Sequence, residues 1–242
     1  SGLGNEKLTL SGSTSVANAN TLAADTTGVI TATITETDAA TLATLTETTN
    51  AYTITVGDTS VTAANLNTID GATTVAVTAT AVTTITGSAS AVITTYDSSG
   101  ISGLGNEKLT LSGSTSVANA NTLAADTTGV ITATITEGDM TTLAGLTETG
   151  NAYTVTITDS SVASSALNTL DGKTTVAVNA AAVTTLTGLA ADANTAYASS
   201  GITGLGNEAV TLSDTSLAAT VLNTLNDNTT GAVNAATITT LT

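Results

Sequence analysis

Short runs in which apolar and polar residues alternate, each followed by a polar turn and then by apolar residues at roughly helical spacing, recur along the chain. Alternation puts one set of side chains on each face of a strand, and the change of period marks a helical turn. In residues 51–74, Tyr52, Ile54 and Val56 fall on one face, and Thr53 and Thr55 on the other. Asp58, Thr59 or Ser60 then stands where a helix carrying Val61, Ala64, Leu66 and Ile69 needs a cap, and Gly71 where it ends. The same reading gives Leu8 and Leu10 followed by Val16 and Leu22. It next gives Ile30, Ala32 and Ile34, with Asp38 as the cap before Leu42 and Leu45. A fourth stretch runs from Val75 and Val77 through Val82 and Ile85, adds a helical piece with Ala89, Val92, Ile93 and Tyr96, and stops at Gly100.

These four stretches make up a longer unit. Residues 1–36 recur unchanged at 102–137, and a third, diverged copy begins near Gly204. The expected organisation is repeat 1 over residues 1–101 with four coils, repeat 2 over 102–202 with four coils, and partial repeat 3 over 203–242 with two coils, all in one continuous solenoid. In the third copy, Val210 and Leu212 lead through Leu217, Leu222 and Leu225 to Val233, Ile238 and Leu241, which align with Val178, Val183 and Leu186 of the fourth coil. Two coils are skipped, so the single coil is the unit of variation, as expected where each layer needs only its neighbours. The pattern stops in mid-phase at Thr242, as a piece of a longer array would.

A coil of about 25 residues accommodates a strand, a turn and a short helix returning to the next strand. Parallel strands require such a crossover, and the handedness rule makes it right-handed. The fold expected is therefore an α/β repeat solenoid, a right-handed stack of strand, turn and short-helix coils with one parallel sheet. The abundant Thr favours strands and leaves an all-β parallel solenoid as the alternative. The apolar spacing resembles that of leucine-rich repeats, whose Asn position and regular Leu framework are not reproduced here.

Composition narrows the picture further. There is no Phe, Trp or Pro and there are four Tyr, so the core must be filled by Ala, Val, Leu and Ile, which suits thin layers. A formal net charge of −16 repels nucleic-acid phosphates and anionic membranes, and no apolar run is long enough to span a bilayer, so neither nucleic acid nor membrane insertion is expected. An acidic surface with three Lys and no Arg fits a secreted protein in salty water, where screening weakens self-repulsion. With no Cys and no His, thiolate and imidazole chemistry are unavailable to the chain, no catalytic residue stands out, and no enzyme is expected. Gly2-Leu3-Gly4-Asn5 lacks the spacing and following Lys of a phosphate loop and reads as a turn from a helix end into a strand.

Two residue sets carry candidate chemistry. Asp38 and Asp58 occupy similar turns of adjacent coils, as do Asp139 and Asp159. Strands about 4.8 Å apart would let such pairs share a Ca²⁺ between layers. Helix capping explains the same residues without metal and is favoured, because no dense Asp and Gly ligand loop is present. Outward Thr9, Thr31, Thr33, Thr53, Thr55 and Thr78 form the second set, an array suited to ice or a crystalline polysaccharide but interrupted by Lys7 and Ala76.

The phrases Ser-Gly-Leu-Gly-Asn-Glu at 1–6 and 102–107, Leu-Asn-Thr-Leu-Asp-Gly at 167–172, and Val-Asn-Ala-Ala-Ala-Val-Thr-Thr-Leu-Thr-Gly at 178–188 resemble tandem repeats of very large secreted cell-surface proteins of marine cyanobacteria. The resemblance implies export, an extracellular, cell-surface location and a role in the envelope, adhesion or surface motility. It carries over no catalytic or binding residues. The function expected is a rod-like spacer or filament-forming segment of a giant surface protein, with neighbouring repeats of the same or identical chains as partners. The alternative is an adhesin recognising polysaccharide, ice or calcium.

Overall fold

The computed structural model describes residues 2–242. In chain order the first elements are β1 (Leu8–Thr14), α1 (Val16–Asp25), β2 (Ile30–Ile34), α2 (Ala39–Leu42), β3 (Ala51–Thr53), β4 (Ser60–Thr62), α3 (Ala63–Gly71), β5 (Val77–Thr78), β6 (Thr84–Gly87), α4 (Ala89–Asp97) and β7 (Ile101–Ser102). Next come β8 (Lys108–Thr115), α5 (Val117–Asp126), β9 (Ile131–Ile135), α6 (Met140–Leu143), β10 (Ala152–Thr154), β11 (Ser161–Ala163), α7 (Ser164–Asp171) and β12 (Val178–Asn179). The last are β13 (Thr185–Gly188), α8 (Ala190–Ala198), β14 (Ile202–Thr203), β15 (Ala209–Leu212), β16 (Ser216–Leu217), α9 (Ala219–Asn228), β17 (Val233–Asn234) and β18 (Thr240–Leu241). The chain divides into two compact units, residues 1–113 with 122–131 and residues 114–121 with 132–242.

Strand pairing in both units is parallel. In the first unit β2 lies between β1 and β3, β5 pairs with β7, and β6 lies between β4 and β8. In the second, β9 pairs with β10, β12 with β14, and β16 with β18, while β11, β13, β15 and β17 run side by side. The expected single sheet is thus replaced by several small ones. The reason is visible in residues 77–97, where β5, a turn, β6 and α4 follow one another within one segment. Such a segment contributes strands to two separate hydrogen-bond ladders, and a turn breaks the ladder between them. The return from one segment to the next is helical in α3, α4, α7, α8 and α9, and only four residues long in α2 and α6.

The cores follow the alternation read from the chain. Tyr52, Ile54 and Val56 are buried while Thr53 and Thr55 are exposed. The helix after them starts later than its pattern suggests. Val61 is buried in β4 with Ile85 as its neighbour in β6, and α3 begins at Ala63 with Leu66 and Ile69 buried and Ala64 exposed. A β-branched residue flanked by Ser and Thr fits a short strand better than a first helical turn. Side-chain caps set the helix starts: Ser15, Asp38, Thr62 and Ser88 each accept an N–H three residues on.

Ile85 is fully buried between two paired strands, whereas Val75 is 37% exposed. Ile85→Ala should therefore cost about 2–5 kcal/mol by leaving a cavity. Val75→Ala should change stability by less than about 0.5 kcal/mol, with both effects read from urea melts.

Candidate functional site

The acidic residues singled out in the turns are bound to helix ends. Asp38 Oδ1 accepts the Thr41 N–H at 2.8 Å, and Asp58 Oδ2, from the following segment, accepts the Ala39 N–H at 2.7 Å. Both carboxylates therefore serve α2, and Asp58 does not cap α3, whose cap is Thr62. Asp139 and Asp159 repeat the arrangement on α6 through Thr142 at 2.9 Å and Met140 at 2.7 Å. The same device recurs where Glu36 accepts from Val16 at 3.0 Å, Glu137 from Val117 at 3.1 Å and Asp214 from Ala190 at 2.8 Å. In each case a carboxylate of one segment satisfies the first free N–H of the helix before it, where the helix dipole also favours negative charge. No cluster of three or more acidic side chains placed to hold a metal occurs among the described residues.

A second set of inter-segment bonds, unnoticed in the sequence, lies at the segment corners. Thr73 is buried; its Oγ1 donates to the Tyr52 carbonyl at 2.7 Å and accepts the N–H groups of Tyr52 at 2.9 Å and Val75 at 3.1 Å. One hydroxyl thus replaces a missing rung of the backbone ladder. The neighbouring Thr74 adds an N–H to the Asn50 carbonyl at 2.8 Å. Thr174 repeats these bonds on Tyr153 and Val176. Thr26, Thr127 and Thr229 donate at 2.7 Å to the carbonyls of Glu6, Glu107 and Glu208, and accept from Gly28, Gly129 and Gly231. Glycine is needed at these last positions because a Cβ on Gly129 would overlap the Glu107 carbonyl. Ser98 and Ser199 hold the equivalent corners through Asp70 at 2.6 Å and Asp171 at 2.7 Å. The signal for all of them was the recurring pair of hydroxyl residues in Thr-Thr-Gly, Thr-Thr-Val and Ser-Ser-Gly.

Helices are linked by asparagine. Asn67 Nδ2 donates to the Ala91 carbonyl at 2.9 Å and its Oδ1 accepts from Thr95 at 2.8 Å, joining α3 to α4. Asn168 Nδ2 donates to the Asp192 carbonyl at 2.9 Å, linking α7 to α8, and Asn194 Nδ2 donates to the Val221 carbonyl at 3.1 Å, linking α8 to α9.

The Gly-rich phrase at 103–106 turns the chain from β7 into β8 rather than from a helix end into a strand, because β7 follows α4, and Gly103 and Gly105 have φ +91° and +143°. Its glutamate is the least expected feature. Glu107 is 0% exposed; its Oε2 accepts from the Tyr96 hydroxyl at 2.7 Å and the Gly105 N–H at 2.8 Å. Glu208 repeats this with Tyr197 at 3.1 Å and Gly206 at 2.8 Å. Burial, with the nearby Glu208 carboxylate, pushes the Tyr197 phenol up to about 12, and burial with Glu107 raises Tyr96 as well.

The outward Thr residues are only partly brought together. Thr9 lies beside Thr31, Thr33 beside Thr53, and Thr55 beside Thr78, but Thr31 meets Ala51 on its other side. A more regular column runs across β4, β6 and β8, where Thr62, Thr86 and Thr110 are in register beside a groove of about 540 Å³. No protein-family model, curated protein or solved structure matches the chain.

Removing the corner hydroxyl with Thr73→Val should cost about 1–3 kcal/mol, because its buried backbone partners lose their bonds. Thr73→Ser should retain most of the stability, and urea melts of both check this. The raised phenols give a pH test. Stability held by Tyr96 and Tyr197 is complete below the ordinary tyrosine value near 10 and is lost as pH rises toward about 12. Thermal melts across this range should show the Tyr96→Phe, Tyr197→Phe double variant less stable at neutral pH but less sensitive to alkali.

Proposed function

We propose that this chain is a structural segment of a giant extracellular cell-surface protein, a rod-like spacer or filament-forming solenoid similar to the tandem repeats of secreted cyanobacterial surface proteins. The observation that carries the reading is the corner hydroxyl, which in both units binds the backbone of the preceding segment. Helix-capping carboxylates and helix asparagines add bonds between neighbouring segments in the same way. A protein whose polar bonds run from each coil to the next can lengthen by adding coils, and each adds about 4.8 Å. The work done is mechanical and geometric, without a catalytic step, and the acidic surface limits unwanted association.

An adhesin is the second reading, favoured by the in-register column of Thr62, Thr86 and Thr110 beside its groove. Thr86→Lys should then abolish retention on a crystalline polysaccharide. Retention unchanged by this substitution, or no retention of the parent chain, counts against that reading.

The spacer reading is tested by removing a layer. Deleting residues 51–74 joins Asn50 to Val75 and should leave a folded, shorter chain with a cooperative urea transition. Ile54→Asp places a charge among buried side chains, at a cost of several kcal/mol unless the group protonates, and should destabilise more than the deletion. A deletion that abolishes folding while Ile54→Asp is tolerated would overturn the coil as the structural unit.

A further inference from the structure

We propose that a groove between α6 and α7, within the second unit, binds a free alkyl carboxylate of short to medium chain length, its chain on the apolar floor and its carboxylate at Lys173. The site is independent of the spacer reading, since a rod needs no ligand.

The groove has a volume of about 230 Å³ and is lined by Leu143, Ala144, Ala166, Thr169, Leu170 and Lys173. Leu143, at the end of α6, and Leu170, in the last turn of α7, are buried and form its floor. Ala166 and Lys173 are half-buried at its sides. The Thr169 hydroxyl is spent on the Ser165 carbonyl at 2.9 Å, so the ammonium of Lys173 is the polar anchor of an otherwise apolar surface. Concave sites with an apolar lining and few polar groups are the usual design of ligand pockets, and this volume suits a short chain rather than a drug-sized molecule.

Charge complementarity selects the occupant. The sequence has three Lys and no Arg, and Lys7 and Lys108 belong to the first unit, so Lys173 is the one cationic side chain of the second. Its Nζ donates to the Thr147 carbonyl at 2.9 Å, which leaves two N–H donors for an anion. Of the carboxylates nearest in sequence, Asp171 already accepts from Ser199 at 2.7 Å, and Glu148 is exposed to solvent. An ammonium beside an apolar floor favours a molecule with a negative head and an apolar tail over either part alone. The first repeat supplies an internal control: Asn65 stands where the second has Ala166, and the buried Ala72 where it has Lys173. Residues 42–72 thus keep neither the apolar wall nor the charge. A lysine that merely lays its stem over apolar surface would give the same structure, and removing the charge alone separates the two roles.

Amide NMR titration of the full chain with sodium octanoate, kept below its micelle concentration, and with 1-octanol tests the site. Octanoate should shift the amides of Leu143, Ala166 and Leu170 saturably and leave residues 42–72 unmoved. It should bind about tenfold more tightly than octanol, because only the carboxylate makes a charge-assisted bond to Lys173. From butanoate to octanoate, each added methylene should tighten binding about fourfold until the groove is filled. Lys173→Met keeps an apolar stem and should weaken octanoate about tenfold without changing octanol. Ala166→Leu keeps a good helix former, fills the groove and should abolish binding of both. The absence of saturable shifts, equal shifts at residues 42–72, equal affinity for octanoate and octanol, or an undiminished octanoate affinity in Lys173→Met would overturn the proposal. If Ala166→Leu fails to fold, Lys173→Met decides alone.

Discussion

A buried hydroxyl at the corner of a segment is the interaction on which the rest of this structure depends. Thr73 alone satisfies the N–H and carbonyl of Tyr52 and the N–H of Val75, three backbone groups that would otherwise be stranded where the chain turns from α3 toward β5. Leaving such a group unpaired costs about 1–3 kcal/mol, and a repeating chain would incur that cost at every corner. Thr26, Thr127, Thr174 and Thr229 perform the same service, with Ser98 and Ser199 using an aspartate as the acceptor. The hydroxyl also fixes how closely one segment approaches the next, which is why glycine follows two residues later wherever the neighbour is a Glu carbonyl.

Given that spacing, the composition becomes intelligible. The buried side chains are mostly Ala, Val, Leu and Ile, Tyr52 and Tyr153 are buried among them, and Tyr96 and Tyr197 reach the carboxylates of Glu107 and Glu208. The acids serve both surface and interior. Asp58 and Asp159 close the ends of helices in the preceding segment, while Glu107 and Glu208 are buried under a tyrosine. A carboxylate that caps a neighbour's helix ties two segments while keeping its charge near solvent, so an acidic sequence can be built without cationic partners.

The strand faces were legible in the sequence because alternation leaves little freedom: Tyr52, Ile54 and Val56 could only be buried together. The helical return was legible through Leu66, Ile69 and Val92, and Asp38 was identifiable as a cap from its place before an apolar run. The start of α3 was misplaced because Val61 suits both a strand and a first helical turn, and only its pairing with Ile85 decides between them. The splitting of the sheet was hidden for a related reason, since two-residue strands such as β5 leave almost no periodic signal. Corner threonines escaped because Thr is abundant throughout, and nothing in one copy distinguishes a buried hydroxyl from an exposed one. The burial of Glu107 escaped because the Tyr96 phenol it meets lies on α4, eleven residues back, and Asp58 was assigned to the wrong helix because its partner Ala39 lies in the preceding segment.

Amide hydrogen exchange at single-residue resolution, comparing the parent chain with Thr73→Val, tests the central role of the corner hydroxyl most directly. In the parent, the amides of Tyr52 and Val75 should be protected like those of the strands. In the variant, both should exchange much faster, while Gly28, whose amide is held by Thr26, keeps its protection. Unchanged protection of Tyr52 and Val75, or an equal loss throughout the first unit, would contradict a corner bond that joins each segment to its neighbour.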